Sequence, residues 1–397
     1  MATDWKNPNF VVGPVAEGNN FYVRNDIVEE IWDELLNGNS VLLAAPRRVG
    51  KTSIMQYMEK KTIANYNLIF QNIQGISSAD EFFERIYILL LKCLGGMGKA
   101  KKWFEQFLKT TTITKIGLDG SLEFGDKPIN FLKATNALLV EINGNPKVEN
   151  IVLLLDELPE VLFNIHEKNT DDAKLILKYL RHWRQQPEMN QKMEFVLAGS
   201  VGIHYVVDII EGRNSDLNDL ANRVDCKPLS ETEASNYIDW ATKGATITYT
   251  AELKKHLLGK VQYFVPFFVN LLLCEINKQA RKVNNPKITA QDIDNAFDTV
   301  VKNSDHFKDW KQRLQKYMPS ADFDFVNEIL IHIAHKGHIS VLEVYDKAGK
   351  HSKTADYVEF MDDLEKDGYI TKVNDSYCFM SPFLSAFWKR INPIYNG

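Results

Sequence analysis

The sequence has few cysteines, no long apolar run and no excess of positive charge, and each shortage removes a class of protein. Its four cysteines, Cys93, Cys226, Cys274 and Cys378, lie far apart and form no C-x-x-C pair. That excludes a disulfide framework or a cysteine-rich zinc module and fits reduced thiols. The longest apolar stretches, Ile86 to Leu91 and Phe264 to Leu273, fall well short of the roughly 20 residues of a membrane helix, so no membrane partner is expected. Met1 to Pro8 lack the apolar centre of a signal peptide, and the expected location is cytoplasmic. A formal net charge of −5 gives no general affinity for nucleic acid. No short-period repeat or low-complexity segment stands out. What remains is an ordinary globular composition, 45% hydrophobic and 25% charged over 397 residues, enough for two or three domains.

One stretch carries most of the chemistry. Val41-Leu42-Leu43-Ala44 reads as a buried strand, followed by Ala45-Pro46-Arg47-Arg48-Val49-Gly50-Lys51-Thr52-Ser53 and an amphipathic helix. This is the layout of a phosphate-binding P-loop, in which backbone N–H groups and the positive end of a helix face one point. The spacing predicts that Ala45 to Ser53 cradle a nucleotide triphosphate, ATP. Lys51 would reach its β- and γ-phosphates and Thr52 would offer a hydroxyl to Mg²⁺. Ala45 stands where the pattern has its first glycine, and alanine resists positive φ.

Ile151-Val152-Leu153-Leu154-Leu155 is a second run buried on both faces, as in a parallel sheet, and it ends in Asp156-Glu157. Carboxylates at that end sit where ligands bind in open α/β sheets. Asp156 is the expected Mg²⁺ partner, and Glu157 the base that polarises the attacking water. The alternative is that both merely cap the helix starting near Pro159. A third run, Met193 to Ser200, ends in a hydroxyl. Ser200 would sense the γ-phosphate or orient water, or it is simply a serine at a strand end.

The rest of the chain orders itself around these runs. Helices are expected over Ile27 to Leu36, Ile54 to Ile63, Ala79 to Leu94, Leu132 to Ile142 and Ala173 to Arg184, with a strand over Leu68 to Ile73. Thr111 to Ile116 and Ser121 to Phe124 read as an inserted β-hairpin. From the capping box Ser230-Glu231-Thr232-Glu233 onward the pattern is helical. The C-terminal part reads as helices over Phe323 to Lys336, Leu342 to Ala348 and Thr354 to Asp367, then a hairpin across Asn374-Asp375-Ser376. The expected fold class is α/β: a parallel P-loop NTPase core of the AAA+ kind with a helical lid and a C-terminal winged helix-turn-helix. The boundaries fall at 1–228 (hairpin insertion at about 110–125), 229–303 and 304–397.

Pro46-Arg47-Arg48-Val49-Gly50-Lys51-Thr52-Ser53 resembles the P-R-R-x-G-K-T-S loop of the archaeal-type ATPases, relatives of the STAND and AAA+ nucleotide switches. Asp156-Glu157-Leu158-Pro159 resembles their acidic strand, and Leu197 to Ile203 their sensor strand. Phe21-Tyr22-Val23-Arg24 resembles their N-terminal F-x-G-R element, which implies that Arg24 approaches the base. Gln262 to Pro266 resembles the glycine-x-proline of their lid, which places Pro266 at the nucleotide. Asp367 to Ile370 and Tyr377 to Leu384 resemble their winged-helix end. Such enzymes often complete the site with an arginine from a neighbouring copy. Of Arg213 and Arg223, Arg223 is the choice here, against the alternative of a surface arginine or local ion pair, and a homo-oligomer stays open.

Winged helices often grip DNA, but from Ser320 to Gly397 eight lysines and arginines face twelve aspartates and glutamates. The segment at the recognition-helix position carries Asp362, Asp363, Glu365 and Asp367, where phosphates demand basic residues. Only Lys347, Lys350, His351 and Lys353 form a small basic loop. His332, His335 and His338 lack a completing ligand and read as a helix face. The expected function is therefore a Mg²⁺-dependent ATPase, slow or partner-stimulated. It would act as a nucleotide-controlled switch that signals through lid and winged helix to a protein partner. The alternative is an AAA+-type ATPase of a mobile element or defence system, using its winged helix on duplex DNA.

Overall fold

Apolar runs without alternation must be covered on both faces, and a parallel sheet between helices does that. The computed structural model describes residues 5–96, 113–116, 122–124, 129–199, 203–212 and 223–395. Contacts divide the chain into two compact units. One comprises Arg24–Ala44 and Ile54–Cys226; the other comprises Met1–Val23, Ala45–Ser53 and Lys227–Gly397.

The first unit is built on α1 (Asn25–Leu36), β1 (Val41–Ala44), α2 (Lys51–Lys60) from Ile54 onward, β2 (Tyr66–Asn72), α3 (Ala79–Gly96), β3 (Ile113–Ile116), β4 (Leu122–Phe124), α4 (Phe131–Gly144), β5 (Asn150–Asp156), α5 (Leu158–His166), α6 (Thr170–Gln185), the single turn α7 (Pro187–Asn190), β6 (Met193–Ala198), α8 (Ile203–Glu211) and β7 (Arg223–Asp225). Its sheet has the order β2-β5-β6-β1-β7, and every pairing is parallel. Each residue from Ile151 to Asp156 and from Met193 to Ala198 is buried, as largely apolar strands covered on both faces require. The inserted hairpin forms: β3 and β4 pair antiparallel with Ile113 opposite Phe124 and Ile116 opposite Leu122. β7 was not expected, because three residues with one buried apolar side chain leave no periodic signal; only its pairing with β1 defines it.

The second unit carries α9 (Glu231–Thr242), α10 (Ala251–Val261), α11 (Pro266–Lys282), α12 (Ala290–Lys302), α13 (Lys308–Tyr317), α14 (Ser320–Lys336), β8 (Ile339–Ser340), α15 (Val341–Lys350), α16 (Tyr357–Lys366), β9 (Ile370–Val373), β10 (Ser376–Phe379) and α17 (Pro382–Ile391). The Ser230 box forms, with Ser230 Oγ accepting from the Glu233 N–H and the Glu233 carboxylate accepting from the Ser230 N–H. Thr289 and Asp292 form a second box and Ser340 and Glu343 a third. The three short strands make an antiparallel sheet in the order β8-β10-β9. The helical and C-terminal parts share one aromatic core. The ring of Phe268 on α11 stacks on Phe383 of α17 at 5.6 Å and on Trp310 of α13 at 6.1 Å. α13 escaped the sequence reading because charged residues fill the gaps between its buried Trp310, Leu314 and Tyr317.

One buried acid departs from the apolar pattern. Glu194 on β6 is 3% exposed, and burial pushes its carboxyl up to about 8. The unfolded chain ionises there near 4.3. A group whose folded pKa is raised stabilises the fold fully below the unfolded value, and that stabilisation is lost as pH rises toward the folded one. Glu194→Gln, which stays neutral, should melt close to wild type at about pH 4 and several degrees higher at about pH 8.5. Equal melting temperatures at both pH values, followed by circular dichroism, would show that Glu194 ionises inside the fold without cost.

Candidate functional site

The sheet decides which strand ends meet. All five strands point the same way, so the exits of β1, β5 and β6 share one edge, with β6 between the other two. Neighbouring strands lie about 4.8 Å apart, so the chain leaves β1 about 10 Å from the end of β5.

From β1 the chain enters the loop, whose residues pack within the second unit. Its left-handed conformations fall at Arg48 (φ 68°) and Gly50 (φ 109°), not at Ala45. The alanine in place of the first glycine therefore costs no backbone strain here. Lys51 opens α2, is buried, and donates from Nζ to the carbonyl oxygens of Ala45 at 2.8 Å and Pro46 at 3.1 Å. The lysine thus closes the loop on itself. Lys51 and Thr52 form the N-terminal end of α2, and the positive end of a helix dipole suits an anion. Ser53 is buried, and its Oγ accepts from the Ala16 N–H at 3.1 Å.

A non-glycine residue in the left-handed region costs about 1 kcal/mol, and Arg48 is held there from three sides. Its Nη1 donates to the Gly13 carbonyl, its guanidinium lies 4.7 Å over the Phe267 ring, and Nη2 pairs with Asp309 at 3.5 Å. Arg47 pairs with the same Asp309 oxygen at 3.1 Å. Burial, then the nearby guanidiniums of Arg313 and Arg48, hold the Arg47 pKa below its ordinary value, and Asp309 opposes them. Arg47 and Arg48 thus share one carboxylate, and the charge of Arg313 acts on Arg47. On the other side of the loop, Gly368 (φ 80°) leads into β9, and a Cβ there would lie 2.8 Å from Pro46 and from the Tyr263 hydroxyl.

At the β5 end, Asp156 is 1% exposed and its Oδ1 accepts from the Glu157 N–H at 3.0 Å. Glu157 is left-handed (φ 64°, ψ 29°) and is the N-cap of α5. Strain of this kind gathers at functional positions, where surrounding structure over-determines it. Gly199, just past β6, faces Pro159 so closely that a Cβ would approach its ring to 2.2 Å.

The other expected site residues fall as follows. Arg24 is buried, is the N-cap of α1, and pairs with Asp26 at 3.1 Å. Pro266 is the first residue of α11 and precedes the Phe267 that supports Arg48. Arg223, half-exposed on β7, makes the local ion pair named above as the alternative, donating to Asp225 at 2.6 Å. Ser200 and Arg213 lie outside the described residues. His335 interacts with the Asn392 carbonyl and His332 with the Tyr395 hydroxyl. Among the described residues no group of histidines, cysteines and acids is arranged to hold a metal. Sequence reasoning missed Asp309 and Gly368. Asp309 is 261 positions from Arg48, and nothing in the spacing connects them.

No protein-family model and no curated protein matches the chain. Solved structures do. A Walker-type ATPase of Pyrococcus abyssi aligns over 96% of this chain and 99% of its own with 15% identity and a TM-score of 0.61. The ORC2 protein of Aeropyrum pernix, in ADPNP–ADP complexes, aligns over 92% of each chain with 10% identity and a TM-score of 0.50. The α/β fold with its parallel five-stranded sheet is thus one that these two proteins share over nearly their whole length.

Gly368→Ala should test how tightly the loop is embraced. The added methyl meets Pro46 and Tyr263 and occupies a left-handed position, so a loss of roughly 2–3 kcal/mol is expected. Chemical denaturation would read it. A stability within a few tenths of wild type would mean that β9 yields and leaves the loop free.

Proposed function

We propose that this chain is a Mg²⁺-dependent ATPase that works as a nucleotide-controlled switch for a protein partner. The observation that carries the reading is Asp309, gripped by both arginines of the phosphate loop. Through it, a change at the loop reaches α13 and the aromatic core behind it without passing through the sheet.

The loop and the acidic strand end have the donors and acceptors such a nucleotide needs. Gly50 and Arg48 curl the backbone, Lys51 and the start of α2 supply positive charge, and Asp156 supplies a buried carboxylate. Mg²⁺, when bound, would neutralise phosphate charge, with Thr52 and Asp156 holding its coordination shell. Glu157 would accept the proton of the attacking water. Ser200 would orient that water, and Arg223 would act on a neighbouring copy's nucleotide. Arg47 and Arg48 would divide their charge between phosphate and Asp309. We read 1–228 as the ATPase core, 229–303 as the lid, and 304–397, with its β8-β10-β9 sheet, as a winged helix-turn-helix.

The side chains of the basic loop favour a protein over DNA. Lys347 and His351 pair with Glu328 at 2.6 and 2.7 Å, and Lys353 pairs with Asp322. Cations already matched by carboxylates release few counterions from a duplex.

Glu157→Gln should abolish turnover while nucleotide binding survives, and Lys51→Ala should abolish binding; residual turnover equal to wild type in Glu157→Gln removes that residue from its role. For the switch itself, limited proteolysis with and without ATP is the readout. Wild type should change its cleavage pattern beyond residue 303, whereas Asp309→Asn should bind ATP and show no change. An identical ATP-dependent pattern in both proteins sinks the Asp309 route. Duplex DNA that binds in the micromolar range and stimulates turnover would replace the protein partner with DNA.

A further inference from the structure

Between Val341 and Lys366 the chain carries seven acids and four lysines. Lys350 and Lys366 are exposed, whereas the other two lysines are drawn toward α14. Lys347 and Lys353 turn inward onto Glu328 and Asp322 of α14. Asp346 on α15 and Glu359 and Asp362 on α16 are exposed. Asp346 lies one turn on from Leu342 and Asp362 one turn on from Val358, so these acids border exposed apolar side chains on the same helix faces. Leu342 is 69% exposed, Tyr345 47% and Val358 50%. Leu342 and Tyr345 are three apart and share a face of α15. The Tyr345 ring meets Tyr357 edge-on at 5.6 Å, so the strip continues onto α16 next to Val358. Single exposed apolar residues are ordinary, but a strip across two neighbouring helices with a polar border marks an interaction surface.

We infer that the Leu342–Tyr345–Val358 strip docks a basic amphipathic helix of a partner protein. Apolar side chains of that helix would cover the strip, and lysines or arginines flanking them would meet Asp346, Glu359 and Asp362. Such matched charge selects the partner and speeds its approach, while burial of the apolar centre supplies most of the affinity. Duplex DNA is the wrong occupant, because its phosphates would face these acids. A second copy of this chain would have to bring its own acids against them. The inference rests on the protein-partner reading and names the surface and chemistry that reading requires.

The probe is a fluorescein-labelled helical peptide of roughly 18 residues, with leucine on one face and lysine on the other. Its leucine–glutamate counterpart and a labelled duplex are the comparisons, all at about 0.15 M salt, with and without ATP. The lysine peptide should bind the full-length protein, and the other two should not. Leu342→Glu should weaken it at least about tenfold. So should the double variant Asp346→Lys, Asp362→Lys, whose exposed positions leave the fold intact, as its circular dichroism melt should show. Binding unchanged in either variant, equal binding of the glutamate peptide, displacement by duplex, or self-association that Leu342→Glu abolishes would each overturn the surface. Lys51→Ala separates the two readings. Peptide binding that ignores ATP in wild type and Lys51→Ala alike leaves the surface standing and removes the switch. Normal ATP turnover with no peptide bound does the reverse.

Discussion

The pairing of Arg47 and Arg48 with Asp309 is the constraint on which the loop's form depends. Arg48 sits in a backbone conformation that non-glycine residues avoid, and it stays there because a carboxylate, an aromatic face and a carbonyl hold its side chain. Each half-exposed ion pair contributes at most about 1 kcal/mol by itself. Its importance lies in position: the same oxygen of Asp309 meets both arginines, so one carboxylate offsets the repulsion between two neighbouring guanidiniums. Pro46, Tyr263 and Gly368 close the other side of the loop at van der Waals limits. The segment that suits phosphate is thus shaped by residues more than two hundred positions later in the chain.

A different logic governs the acidic end. There the sheet does the positioning. Parallel pairing sends Asp156 to the edge from which β1 departs, and burial of β5 on both faces fixes its register. The turn that follows is strained at Glu157 and crowded at Gly199 against Pro159. That crowding leaves no room for any residue but glycine at position 199.

Much of this was legible from the residues. The strands Val41–Ala44, Asn150–Asp156 and Met193–Ala198 were marked by their largely apolar runs, and the capping box at Ser230 and Glu233 marked the N-terminus of a helix. Gly50, Lys51 and Thr52 followed from local spacing. β7, β8 and α13 did not, for a shared reason: each is short or heavily charged and exists because a neighbour pairs with it or packs on it. Ala45 read as a defect, because a pattern records residue types and not dihedrals. The left-handed turns fall at Arg48 and Gly50, so alanine fits.

The sequence by itself determined the parallel core, the phosphate-type loop, the acidic strand end and the helical second half, since each is written in periodicity or spacing over fewer than about twenty residues. Only the tertiary structure decided what holds the loop and where charge is spent. Asp309 reached the loop arginines, Glu194 was buried as an acid, and Lys347 and Lys353 turned inward while Asp346 and Asp362 faced water. The physical reason is that ion pairing and burial depend on distance in space, and residues far apart in the chain leave no local pattern to read.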